Sequence, residues 1–321
     1  MGSRYPATRR GNRPSAYLVA MIRVGTCSWA DESFVKAWYP RGVRSGTDRL
    51  RHYTERFDVV EANSTFYRLP DEELVARWAR TLPDGFTMHV KAFGLMTRHP
   101  VKADALPDDL RGEVEIDRNG RVDRPSREVR GEVFRRFLAT LEPLREAGAL
   151  GGILMQFPPY VVPKRASYEY LEWARDQLAG HEMLVEFRHK AWFEDPSEPL
   201  RFLERNRMTY VTVDAPPDVI PLVTARTSDT AYVRFHGRNR KTWYKRTGST
   251  AERFDYLYSP DELEEWAGAL RELERGDEVV YAMFNNNGRS DGSAVPGHLA
   301  DGRAEVAQAP TNAAMLKELL A

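Results

Sequence analysis

The sequence predicts an α/β fold, a closed (β/α)8 TIM barrel forming a single domain, with long loops after strands three and seven. Three observations predict it. Eight short β-rich runs recur along the 321 residues. Helical periodicity fills most of the gaps between them. No G-x-G-x-x-G and no Walker sequence occurs, whereas an open doubly wound sheet often carries a Gly-rich phosphate turn and needs fewer strands. That open sheet is the alternative architecture.

The runs are Ile22–Trp29, Asp58–Ser64, Thr87–Phe93, Ile153–Phe157, Met183–Arg188, Thr209–Asp214, Ala231–His236 and Val279–Asn285. Gly, Pro, Asp or Asn bounds most of them, as strand ends require. Asp71–Leu82 and Tyr168–Leu178 each show an apolar stripe at helical spacing with charges opposite. Ser259-Pro260-Asp261-Glu262 is a capping box with proline at the first helical position, opening a helix through Leu273. Thr311–Leu320 reads as a last helix, while Pro216–Thr224, after strand six, is a poor one. Gly94–Leu150 and Gly237–Asp277 are the two long connections, and both leave C-terminal strand ends.

Composition narrows the function. Lys and Arg number 47 against 47 Asp and Glu, so no net charge points to a dedicated nucleic-acid or membrane-surface protein. No apolar run reaches the roughly 18–20 residues of a membrane helix. Cys27 is the only cysteine, which excludes an intrachain disulfide and a Cys-based zinc site and points to a reducing, cytoplasmic compartment. Residues 1–20 carry Arg4, Arg9, Arg10 and Arg13 among Gly, Pro and Ser, and read as a disordered basic tail. The barrel domain is then 21–321, with Met21 a candidate natural start.

A barrel strand alternates inward and outward. Taking the last polar residues of each strand as inward gives Thr26 and Ser28, Glu61 and Asn63, His89 and Lys91, and Gln156. It continues with Glu186 and Arg188, Thr212 and Asp214, Arg234 and His236, and Asn285. Three carboxylates (Glu61, Glu186, Asp214) then face three cations (Lys91, Arg188, Arg234). Buried charges are costly unless paired. Such a set is either an ion-pair plug or a site at the end of the barrel where sites are found. Cys27 is expected on the alternate face, buried and inert.

Several of these runs resemble the YecE-like family, a domain of unknown function. They are Gly25-Thr26-Cys27-Ser28-Trp29, Val60-Glu61-Ala62-Asn63-Ser64-Thr65-Phe66-Tyr67, Val90-Lys91-Ala92 and Gln156-Phe157-Pro158-Pro159. Glu186-Phe187-Arg188-His189 with Trp192, Val233-Arg234-Phe235-His236-Gly237, Tyr256–Leu263, Phe284-Asn285-Asn286 and Asn312-Ala313 follow in order. The Asn-Ser-Thr-Phe-Tyr block is the specific one. The resemblance implies a TIM barrel over nearly the whole folded chain and leaves the chemistry open. At fold level, likeness to the xylose-isomerase and apurinic-endonuclease superfamily suggests DNA work. Ala62 and the charged Lys102–Arg130 insertion depart from the family pattern.

Glu61, Glu186, Asp214, His236 and His89 are the candidate metal ligands. Cations among them oppose a divalent ion, so no tight metal site is expected, and one labile ion stays open. An anionic ligand suits the residues better. Arg188, Arg234 and Lys91 would clamp a phosphate or carboxylate. Glu61, Glu186 or Asp214 would act as base and His236 as proton shuttle. Asn63, Gln156 and Asn285 would orient polar groups, and Trp29, Tyr67 and Trp192 are either an aromatic wall or ordinary packing beneath loops. Arg238, Arg240, Lys241, Trp243, Tyr244, Lys245 and Arg246 form a basic loop after strand seven, suited to phosphates or stacked bases, or simply solvated. Three readings follow: an enzyme (hydrolase, lyase or isomerase) acting on a small anionic or phosphorylated substrate, a nucleic-acid-binding or DNA-processing protein, and a non-catalytic ligand- or partner-binding barrel. Cofactor and oligomeric state stay open.

Overall fold

The computed structural model describes residues 22–243, 250–274 and 279–321. Eight strands close a parallel barrel: β1 (Ile22–Thr26), β2 (Val59–Ala62), β3 (Thr87–Lys91), β4 (Leu150–Gln156), β5 (Met183–Glu186), β6 (Thr209–Asp214), β7 (Thr230–Phe235) and β8 (Val279–Phe284). Each strand pairs with the next in sequence, and β8 closes on β1. Among the described residues, seven helices have eight or more residues: α1 (Gly46–Thr54), α2 (Glu72–Thr81), α3 (Arg127–Thr140), α4 (Arg165–Gln177), α5 (Ser197–Arg205) and α6 (Pro260–Leu273) in the connections, and α7 (Gln308–Leu320) after β8. The capping box of α6 is formed in both directions between Ser259 and Glu262, a feature that typically contributes about 1 kcal/mol.

The connection from β6 to β7 holds no helix. Pro216, Pro217 and Pro221 fall within it, and each lacks the amide proton and clashes with a preceding helical turn. The insertion after β3 folds as a short antiparallel pair, Glu115–Ile116 with Val122–Asp123, before α3 begins.

Two glycines set close approaches between strands. A Cβ on Gly151 of β4 would meet the His89 ring at 2.6 Å. Its absence lets that imidazole lie against β4, where His89 Nδ1 accepts the Gly152 amide at 2.9 Å beside a register shift between Met88 and Val90. A Cβ on Gly25 of β1 would sit 2.3 Å from the Val59 carbonyl oxygen of β2. Backbone cannot yield there without opening the β1–β2 seam. Gly25→Ala is expected to cost about 1–3 kcal/mol, read as a melting temperature lower by roughly 5 °C in scanning calorimetry.

Candidate functional site

Register decides which residues enter the barrel, because residues paired across adjacent parallel strands share a face. Arg234 of β7 pairs with Met283 of β8 and with Val213 of β6, and Met283 pairs with Gly25 of β1. On the inward face with them lie Glu61 and His89, paired across β2 and β3, and Gln156 and Glu186, paired across β4 and β5.

Arg234 is fully buried and bridges two buried carboxylates. Its Nη2 donates to Glu61 Oε1 at 2.6 Å and its Nη1 to Glu186 Oε2 at 2.6 Å. Glu61 Oε2 accepts from the Tyr232 hydroxyl at 2.8 Å, and Glu186 Oε1 accepts from Arg188 Nε. All four carboxylate oxygens therefore have donors. Burial acts to raise the Glu186 carboxyl, but Arg188, Arg234 and His236 outweigh it and hold it well below the usual carboxylate range. An engaged carboxylate with so low a pKa is a poor base. The expected base role of Glu186 gives way to one of orienting the guanidinium groups.

Above this layer, toward the C-terminal strand ends, lies a rim of cations and amides. Lys91 Nζ donates to Gln156 Oε1 at 2.8 Å, and Arg188 Nη2 reaches the same oxygen at 3.4 Å. Lys91 and Gln156 are half-buried. Burial, then the charge of Arg234, pushes the Lys91 amine down to about 7 against the opposing pull of Glu186 and Glu61. His236 Nε2 lies 3.0 Å from Arg188 Nη2, and its Nδ1 lies 2.9 Å from the Asn285 amide. Burial and then Arg188 hold this imidazole well below the usual histidine range, so it is neutral at pH 7. Asn63 Nδ2 donates to the Cys27 carbonyl at 2.7 Å and to Asn285 Oδ1 at 3.3 Å, while the buried Asn63 Oδ1 has no partner.

Several expected positions are corrected. Asp214 and Thr212 face the helices, because Val213 shares the face of Arg234. Asp214 accepts from Arg238 Nε and Nη2, both at 2.8 Å, and from Trp266 Nε1 of α6 at 2.5 Å. Thr26 also points outward, with its Oγ1 3.0 Å from the Tyr53 hydroxyl of α1. Ser28 belongs to the turn beyond β1, where its carbonyl accepts from Thr26 and its Oγ from the Ala30 amide. The aromatic wall is not assembled. Trp29 packs edge-on to Trp78 of α2, Trp192 is buried in a stack on Phe187, and Tyr67 stands 71% exposed. Cys27 lies two residues beyond the inward Gly25, and so faces the interior rather than away from it. Burial first, then Glu61, raises its thiol well above the usual range, so it stays protonated. That keeps the expectation of an inert thiol.

In the basic loop, Arg238 is drawn inward onto Asp214 and Glu262. Arg240 pairs with Asp218 at the surface, Lys241 is exposed, and Trp243 is buried against Phe254. Tyr244, Lys245 and Arg246 lie outside the described residues, as do residues 1–21. Among the described residues no three His, Cys, Asp or Glu side chains converge as a metal cluster, and Arg234 lies between the two inward carboxylates.

The comparisons with known proteins agree with this barrel over its whole length. A family model described as "Protein of unknown function DUF72" matches residues 23–321. This chain belongs to the DUF72 family. It is 30% identical over 280 residues to UPF0759 protein YunF of Bacillus subtilis (strain 168), covering 84% of this chain and 90% of the relative. UPF0759 protein YecE of Escherichia coli O157:H7 is 28% identical over 203 residues, 61% of this chain and 60% of the relative. A DUF72 family protein from Thermotoga maritima MSB8 superposes with a TM-score of 0.70 at 30% identity, covering 94% of this chain and 99% of that one.

Within this DUF72 chain, four residues near the site were not singled out from sequence. Tyr232 was available by parity, two residues before Arg234. Phe66, whose ring lies 4.5 Å from Lys91 Nζ, sits in the family-specific Asn-Ser-Thr-Phe-Tyr block. His99 packs edge-on to Phe66, and Phe254 covers His236 at 5.4 Å. Both come from long connections with no local signal.

Proposed function

We propose that this DUF72 protein is an enzyme that binds a small anionic substrate, a carboxylate or phosphate, at the C-terminal mouth of the barrel. One observation carries the reading. With Asp214 turned outward, the inward set holds two carboxylates against three cations, and Lys91 and Arg188 lie on the outer side. Both inward carboxylates are fully buried beneath them. An anion entering from the mouth meets donors first, and charge-assisted hydrogen bonds from an ammonium and a planar guanidinium favour it. The unpartnered Asn63 Oδ1 accepts a hydroxyl or N–H from the same ligand. Proton transfer falls to Lys91, titrating near 7. The shuttle role expected of His236 gives way, as with Glu186, to one of positioning between Arg188 and Asn285.

Calorimetric titration with inorganic phosphate at low salt tests this reading. Saturable binding is expected, weakened at least tenfold in Arg188→Met. Absence of binding by both phosphate and a small carboxylate such as glyoxylate at millimolar concentration would sink it. For the nucleic-acid reading, Arg238 is committed to Asp214 and Glu262 and Arg240 pairs with Asp218, Lys241 is exposed, and Lys245 and Arg246 lie outside the described residues. The buried free thiol of Cys27 fits a reducing compartment, and no helix among the described residues is long and apolar enough to cross a membrane.

Lys91 also makes a stability prediction. Its folded pKa lies below the unfolded value, so between pH 7 and the ordinary lysine range the unfolded chain holds a proton that the folded chain has released. Stability contributed by this group therefore rises with pH across that window. Lys91→Met removes a half-buried cation. The variant is expected to melt higher than the parent at pH 7 and to lose that upward slope, while binding phosphate more weakly.

A further inference from the structure

We propose that Lys91 attaches a 2-oxo acid covalently, its Nζ forming an imine with the keto carbon while Arg188 holds the adjacent carboxylate. The inference rests on the anionic-substrate reading above and names the substrate class for that site.

Geometry supplies the argument. Lys91 stands at the C-terminal end of β3, half-buried at the mouth. Among the described residues no carboxylate lies within ion-pairing distance of its Nζ, and its hydrogen-bond acceptor is the neutral Gln156 amide. Among the described residues the two guanidinium groups that act on Lys91 from inside the barrel are each tied to a carboxylate: Arg188 to Glu186, and Arg234 to both Glu61 and Glu186. On its other side Lys91 faces the Phe66 ring at 4.5 Å. Lys91 Nζ and Arg188 Nη2 both reach Gln156 Oε1, at 2.8 and 3.4 Å, so amine and guanidinium stand a few ångströms apart. A carbonyl and a carboxylate on adjacent carbons can engage at once an amine and a guanidinium that share one acceptor.

The charged groups acting on the amine come from several elements: Arg234 on β7, Glu186 on β5, Glu61 on β2, and Arg188 just beyond β5. His99, in the connection after β3, is itself held down to about 4 by burial and then by Lys91. It adds no positive charge at pH 7. A substantial share of Lys91 is therefore free amine at neutral pH, the form that attacks a carbonyl.

The step balances without an oxidant. The nitrogen lone pair bonds to the keto carbon, and the carbonyl π pair moves to oxygen. A nitrogen proton passes to that oxygen to give the carbinolamine, a second proton taken from solvent lets the hydroxyl leave as water, and the remaining nitrogen lone pair closes the C=N bond of an imine that keeps one N–H. The protonated imine then withdraws electrons from a neighbouring bond, as carbon–carbon cleavage or decarboxylation requires.

The test uses the full chain with glyoxylate and cyanoborohydride at pH 7, where hydride reduces the imine to a stable carboxymethyl-lysine. Peptide mapping is expected to find Lys91 alkylated at least tenfold faster than the exposed Lys36 and Lys190. Arg188→Met should slow labelling by glyoxylate far more than by formaldehyde, which has no carboxylate to be held and registers only the change in the amine's charge environment. Lys91→Arg should lose the adduct while melting cooperatively. Labelling of Lys91 no faster than of Lys36 and Lys190, or equal slowing of both reagents in Arg188→Met, would overturn the proposal. Phosphate calorimetry on the same preparation separates the two readings. Phosphate binding without selective Lys91 labelling ends the imine alone. Selective, Arg188-dependent labelling without phosphate binding supports the imine and limits the anion site to carboxylates.

Discussion

Arg234→Met is expected to destabilise the protein by about 3–5 kcal/mol, the usual cost of removing one partner from a buried ion-pair network. The guanidinium joins Glu61 and Glu186 at 2.6 Å each in a region where all three side chains are essentially inaccessible. Without it Glu186 keeps Arg188, but Glu61 keeps only the Tyr232 hydroxyl. Urea unfolding should show a lower midpoint with an unchanged slope. Adding Glu61→Gln to the variant should recover part of the loss, because the stranded charge is gone. Arg234→Lys should not rescue fully, since an ammonium lacks the fork that spans two carboxylates. Acid adds a second readout. The folded pKa of Glu186 is depressed, so the stability it contributes is present above the unfolded carboxylate value and is lost as pH falls through the folded one. Weakening that depression in Arg234→Met should make the parent–variant gap narrow below about pH 4.5.

Asp214→Ala is expected to cost about 3 kcal/mol, from charge-assisted hydrogen bonds lost and a donor left bare. The carboxylate holds Arg238 in a two-point contact and takes the Trp266 indole N–H. Trp266 is buried in α6, so its N–H would have no replacement there. Arg238 would keep Glu262 at 3.1 Å. Since Arg238 opens the segment that follows β7, limited trypsin digestion should cut after Arg238 or Arg240 far sooner in the variant. Asp214→Asn should fall between the two. Parent-like stability and cleavage in Asp214→Ala would contradict an anchoring role.

The strands were legible because each is a short apolar run ended by a turn residue, and the absent helix after β6 was legible in its three prolines. Facing was only partly legible. Anchoring the alternation on the last polar residue works where that residue belongs to the interior, as with Gln156 and Glu186. It misplaces β6, where Asp214 is polar because it secures a loop, and β1, where Thr26 serves Tyr53. One step of parity then reverses every assignment in the strand, which also put Cys27 on the wrong face. Trp29 and Trp192 were misread because large aromatics beneath helices have the same sequence signature as a ligand wall. The layering of carboxylates beneath cations depends on depth along the barrel axis, which no single strand records.

The bridge from Arg234 to Glu61 also bears on how the chain assembles. It joins residues 173 positions apart, on strands separated by β8 and β1 in the closed sheet. Neither β2 nor β7 can satisfy it until the strands between them have docked. A contact with that requirement is expected to form late in assembly, after the rate-limiting barrier. Its loss should leave the refolding rate nearly untouched and fall on the unfolding rate, shortening the lifetime of the native barrel.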